Sequence, residues 1–112
     1  VVRTIAILLS QLMAAPIVSE TVEIRGCGRV DLAAFACRDI SRSTVLQRVC
    51  YDVSENDLIV AVNGTYDRYC SVPADTVAAL MGAPSMGQFF NRTIRRPASG
   101  ERYDCPTQKP VK

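Results

Sequence analysis

The dipeptide Asn63-Gly64, set between the apolar run Leu58–Val62 and the alternating stretch Thr65–Cys70, constrains the fold more than any other feature of this chain. A two-residue type I′ turn needs positive φ at both central positions, which Asn and Gly tolerate, so the flanking segments are expected to pair as antiparallel strands. Upstream, Thr44–Asp52 alternates and reads as a third strand. Val45, Gln47, Val49 and Tyr51 fall on one of its faces and Leu46, Arg48 and Cys50 on the other; neither face is wholly apolar, so the pattern leaves its core side open. After Pro73 the period becomes helical. Val77, Ala78, Leu80 and Met81 predict a short helix over Ala74–Met81, with Gly82 at its C′ position. Ser85 and Gln88 have the spacing of a capping box, and a second helix is expected from Met86 to about Arg95 with Phe90 and Ile94 inward. The expected fold class is α+β: a small antiparallel three-stranded meander packed by two short C-terminal helices, with Thr21–Arg25 as an added N-terminal edge strand.

In that edge strand Val22 and Ile24 share one face, and Gly26-Cys27-Gly28 breaks it. Asp31 is placed to cap a helical turn over Leu32–Cys37 that carries Phe35 inward. Residues 1–19 hold one basic residue, Arg3, then an apolar run from Ile5 to Leu9 that resumes at Leu12, then small residues. The run is shorter than the ~20 residues of a membrane span and fits the ~7–15 of a signal sequence. We read 1–19 as a signal peptide cut after Ser19, with Ala15 as the alternative site; the competing reading is a buried N-terminal helix or strand. Residues 20–42 then supply the N-terminal strand and helical turn, 43–96 the main domain, and 97–112 a flexible tail interrupted by Pro97, Gly100, Pro106 and Pro110. No stable membrane span is expected once the leader is removed.

A chain of 112 residues makes one domain, and its net charge of +2 is small enough that any electrostatic attraction must be local. There is no histidine, which removes Ser-His and Cys-His nucleophile systems and imidazole-bound zinc. Asp52 and Asp57 flank a turn, where aspartate serves local hydrogen bonding, so no catalytic residue, metal site or cofactor is assigned and the chain is read as non-enzymatic. The five cysteines, Cys27, Cys37, Cys50, Cys70 and Cys105, contain no C-x-x-C pair. In an exported protein, periplasmic or secreted, they are expected to form disulfides, with one thiol left free or pairing between chains. Two of Cys37, Cys50 and Cys70 are expected to bridge, and Cys27 with Cys105 is the candidate second pair.

Tyr51-Asp52, the Asn63-Gly64 turn, Tyr66 and Tyr69 ahead of Val72-Pro73, and the run Ala83-x-Ser85-x-Gly87-x-Phe89-Phe90-Asn91-x-x-Ile94 resemble the KTSC domain, named for its occurrence at the C-terminus of lysyl-tRNA synthetases. The resemblance spans roughly Ser43–Arg95. The whole chain is similar to small exported bacterial proteins that carry this domain alone, with cysteines at the positions of Cys37, Cys50 and Cys70. The synthetase association implies RNA binding. In one place the chain departs from the family pattern: a central aromatic pair would fall on Asp67 and Tyr69, so a carboxylate stands where the first aromatic belongs.

Tyr66, Arg68 and Tyr69 on the hairpin, joined to Asn91, Arg92 and Arg95 on the last helix and Arg96 after it, would form a nucleic-acid surface in which aromatics stack bases and arginines hold phosphates. Each stacked base would contribute ~1–3 kcal/mol. The functional expectation is an exported binding module with a nucleic acid or another anionic partner. Two alternatives stand beside it. A protein-binding or structural envelope factor would expose an apolar patch, and an enzyme or inhibitor of unknown substrate would show a deep pocket with perturbed carboxylates.

Overall fold

Asn63 and Gly64 take φ values of 51° and 83°. The hairpin they close lies inside a six-stranded mixed sheet in the computed structural model, which describes residues 20–96 and 103–105. The strands are β1 (Thr21–Ile24), β2 (Gly28–Asp31), β3 (Ala36–Asp39), β4 (Leu46–Asp52), β5 (Asp57–Val62) and β6 (Thr65–Tyr69), in the spatial order β2-β1-β6-β5-β4-β3. All neighbours are antiparallel except β1 and β6, which run parallel with Ile24 opposite Tyr66 and the Arg25 N–H donating to the Tyr66 carbonyl at 2.9 Å.

This sheet overturns the three-stranded meander expected from sequence, and two local misreadings explain the difference. Gly26-Cys27-Gly28 does not end an isolated edge strand. With Gly26 at φ 78° and Gly28 at φ 89° it turns the chain back as the β1–β2 hairpin. Asp31 does accept a hydrogen bond from the Ala33 N–H at 2.9 Å, but the helical turn expected over Leu32–Cys37 stops at Phe35, and the chain resumes as β3. Pairing with β4 and the Cys37–Cys50 bond hold that segment extended.

Strands β2 and β3 occupy opposite edges, yet only residues 32–35 join them. Across a flat sheet five strand spacings of about 4.8 Å give about 24 Å. Five peptide units reach at most about 17 Å. The sheet must therefore curl, and its concave face shows it: Val22, Ile24, Val30, Cys37, Cys50, Ile59 and Tyr66, drawn from all six strands, form one cluster with Leu32 and Phe35 of the link.

The convex face carries the other core. There Leu46, Val49, Leu58, Val60 and Val62 meet Val72 and the helices α1 (Ala74–Gly82) and α2 (Met86–Phe89), the latter running on into a π-helical turn, Phe90–Arg95. Val77 and Leu80 of α1, Met86 of α2, and Phe90 and Ile94 of the π turn supply the helical side. Phe90 is fully buried, and a side chain of that size contributes about 1.5–3 kcal/mol by leaving water.

The mixed pattern of β4 is resolved by a bulge: the register shifts between Leu46 and Arg48. Leu46 and Val49 thereby share the convex core although their separation is odd, while Cys50 lies in the concave one. Gln47 at the bulge turns its amide oxygen to the Gly64 N–H, at 2.9 Å, so the irregular strand also ties down the hairpin turn. At the second helix, Ser85 Oγ accepts from the Gln88 N–H at 3.4 Å, which is the serine half of the expected capping box; a return bond from the Gln88 side chain is not among the hydrogen bonds of the described residues.

Disulfides join Cys37 to Cys50 and Cys70 to Cys105, leaving Cys27 exposed and free. The candidate Cys27–Cys105 pair is therefore not formed. Cys27 sits at the β1–β2 turn, whereas Tyr103–Cys105 lies against the end of β6, where the Cys70 N–H donates to the Tyr103 carbonyl at 2.8 Å. The proposed signal peptide, 1–19, and the tail apart from 103–105 lie outside the described residues. Among the described residues no helix is long and apolar enough to cross a membrane. Thiol counting on the natively oxidised chain, denatured without reduction, should give one reactive thiol, and peptide mapping should link Cys37 with Cys50 and Cys70 with Cys105; a Cys27–Cys105 peptide would contradict this connectivity.

Candidate functional site

The curled sheet separates the residues that sequence reading groups together. On β6, side chains alternate between the faces, so Tyr66 and Arg68 point to the concave side and Asp67 and Tyr69 to the convex side. Tyr66 packs in the concave core and its hydroxyl accepts from Arg48 Nη1 at 3.3 Å. Arg48 is held in turn by both carboxylate oxygens of Glu20, at 2.6 and 2.8 Å. The hydrogen bonds that Arg48 donates, to Glu20 first and then to Tyr66, push its guanidinium further above its ordinary range, and those to Glu20 pull that carboxyl below the usual glutamate range. Arg68 is bound to Asp57 at 2.6 Å. Both concave arginines thus already have carboxylate partners.

On the convex side, Tyr69 meets Phe90 edge to face, with ring centroids 5.7 Å apart. Burial pushes its hydroxyl above the usual tyrosine range, and Asp67 adds to the effect against the opposing fields of Arg95 and Arg25. Asp67, the carboxylate in an aromatic position, forms a two-pronged ion pair with Arg25 at 2.6 and 2.8 Å. Its role is to lock the end of β1 beside β6, where only a single residue pair is in register. Asp52 is buried and accepts from the Ser54 N–H and Oγ–H, at 3.0 and 2.8 Å, which is the local use expected of it.

Asn91, Arg92 and Arg95 all project exposed from the π turn. That turn is defined by the Arg96 N–H reaching the Asn91 carbonyl at 3.0 Å, and such wide turns inside helices recur at functional sites. Arg92 donates to the Gln88 carbonyl at 3.3 Å and Arg95 to the Asn91 side-chain oxygen at 3.5 Å. Neither these two nor Arg96 meets a carboxylate among the described residues. The structure therefore brings Tyr69 and the last-helix group to one side, and sets Tyr66 and Arg68 on the other.

Asn91 also borders a hollow of about 350 Å³ whose polar wall is Arg42, Ser43, Thr44, Ser85 and Gln88. Past Arg42 and Met86 it opens into a second hollow of about 200 Å³. Past Arg38 and Met81 that in turn meets a third, of about 260 Å³, floored by Val49, Tyr51 and Val77. Shared lining residues make these one groove between β3 with its following loop and the helices. Gly87 permits the close approach at one end, since a Cβ there would stand 3.1 Å from Val45 Cγ2. Arg38, Arg42, Met81, Met86 and Gln88 were missed in the sequence because 50 residues of chain separate Arg38 from Gln88 and no local spacing connects them. Among the described residues no group of three or more His, Cys, Asp and Glu side chains is placed to hold a metal ion.

The KTSC domain family model matches residues 42–97. Among solved structures, the chain is similar to the crystal structure of a KTSC domain protein from Yersinia pestis, with 25% identity and a TM-score of 0.53 over 56% of this chain and 89% of that one. No curated protein matches. Strands β1–β3 and Cys37 lie ahead of the matched residues, so the concave cluster is completed by sequence outside the family match. Because the hydrogen bond from Arg48 is what holds the Glu20 carboxyl below the usual glutamate range, Arg48→Met should return it upward to that range in an NMR pH titration; an unmoved titration would contradict the assignment.

Proposed function

This chain belongs to the KTSC domain family, and from that premise we propose that it is a non-enzymatic, exported binding module that takes an anionic partner, single-stranded RNA being the first to test, on the exposed face of its last helix. The observation that carries the reading is a segregation of charge. Arg25, Arg29, Arg48 and Arg68, on the strands β1, β2, β4 and β6 or next to them, each have a carboxylate within 4.0 Å, Arg38 on the edge strand β3 being the exception among the described sheet residues. Arg92, Arg95 and Arg96 on and after the π turn have none among the described residues, and Arg42 beside Asn91 donates only to the Met81 carbonyl, at 2.8 Å. Arginines without an acidic partner keep their full attraction for phosphate or carboxylate groups of a ligand.

The surface proposed here is narrower than the one read from sequence. Tyr66 and Arg68 are committed to the concave side, so they are not available to the same ligand, and Tyr69 presents an edge held against Phe90. Electrostatic holding, with little stacking, is the mode these residues support. The two disulfides point to an oxidising, non-cytoplasmic setting, which supports export without demonstrating it. An anionic polymer met outside the cytoplasm is consistent with that setting.

Binding of single-stranded RNA, followed by fluorescence anisotropy over a salt series, tests the reading. Each phosphate contact contributes a slope of about 0.7 in log K against log salt for single strands. Arg92→Ala/Arg95→Ala should therefore weaken binding and lower the slope by about 1.4, whereas absence of binding at low salt, or no effect of the double change, would remove the nucleic-acid version.

A further inference from the structure

We propose that the free edge of β3, with the apolar groove beside it, docks an extended acidic segment of a partner protein as an added strand. The site goes beyond the last-helix reading and uses different side chains, so either can fail without the other.

The backbone argument begins with register. The Ile40 N–H donates to the Gln47 carbonyl, so this pair is hydrogen-bonded, and alternation then makes Arg38–Val49 hydrogen-bonded and Cys37–Cys50 not. The 4.0 Å Cα separation of the cystine agrees, since non-bonded pairs are the closer ones. Cys37 and Asp39 therefore aim their N–H and C=O groups away from β4, at the sheet edge, and neither group meets a backbone or side-chain partner among the described residues. Four unpaired groups in a row are a template for another strand.

The side-chain argument selects the occupant. Ala36 and Arg38 face the helix side, where Val49, Val77 and Met81 make the apolar floor of the groove. A strand added at this edge would set alternate residues over that floor, and methionine adapts to varied side chains. Arg38 stands at the rim, exposed, and has no carboxylate among the described residues, so it favours an acid on the incoming strand. Charge on an edge strand deters indiscriminate pairing, and here it discriminates against basic segments. The opposite edge, β2, lacks this feature, because Arg29 there already faces Glu23 at 4.0 Å.

The test uses the full, natively oxidised chain, labelled with nitrogen-15 and titrated with a short capped peptide of alternating valine and glutamate, with a valine–lysine peptide as control. The expected result is slowed amide exchange at Cys37 and Asp39, shifts at Val77 and Met81, and about tenfold tighter binding of the glutamate peptide. Arg38→Glu, an exposed change, should reverse the preference, while Arg92→Ala/Arg95→Ala should leave peptide binding unchanged. Unaltered exchange at millimolar glutamate peptide, or equal response to both peptides, overturns the proposal. So does protection of Cys37 and Asp39 without any peptide, whether a dimer in sedimentation shows a second copy on the edge or a monomer shows the chain covering itself.

Discussion

Everything in this fold depends on the short link between β2 and β3. Joining opposite edges of a six-stranded sheet through residues 32–35 is feasible only if the sheet bends. Bending creates a small concave core, and the helices then have only the convex side to cover. Side-chain parity along each strand thereby decides what a residue can do: Tyr66 fills the concave cluster, while Tyr69, three residues on, belongs to the convex one. The central strand β5 serves both cores, with Ile59 on one side and Leu58 and Val60 on the other, all fully buried.

The two disulfides act on the parts of this arrangement that have least support of their own. Strand β3 has a single neighbour in the sheet, and Cys37–Cys50 fastens it to that neighbour. Cys70–Cys105 holds Tyr103–Cys105 at the end of β6. A native bridge in a small domain contributes about 2–5 kcal/mol, a large part of the roughly 5–15 kcal/mol by which such proteins are stable. The Arg25–Asp67 ion pair has a similar task without a covalent bond, because β1 and β6 share only one residue pair in register.

What could be read from the sequence was local. The Asn63-Gly64 turn, the Ser85 cap and the helical period after Pro73 each rest on a few consecutive residues, and each stands where those residues put it. The sheet's true extent did not show, because the β1–β6 pairing joins segments 42 residues apart and Gly26-Cys27-Gly28 signals an end and a turn equally well. The bulge at Gln47 hid the core side of β4 for a related reason: a period of two cannot survive an inserted residue. The candidate site was half legible. Asn91, Arg92 and Arg95 lie exposed on one helix turn, but the groove that runs from Asn91 to Val77 is assembled from β3, its loop and two helices, which no spacing announces.

The central claim is that a curled sheet divides the hairpin side chains between two faces, committing Tyr66 and Arg68 to the concave one and Tyr69 to the helix side. Nuclear Overhauser contacts in the oxidised protein test it most directly. The account predicts contacts from Val30 on the β2 edge into the concave cluster beyond its β1 neighbours, and from the Tyr69 ring, but not the Tyr66 ring, to Phe90. Contacts between Tyr66 and Phe90 or Ile94, or a Val30 that meets only its β1 neighbours, would contradict it.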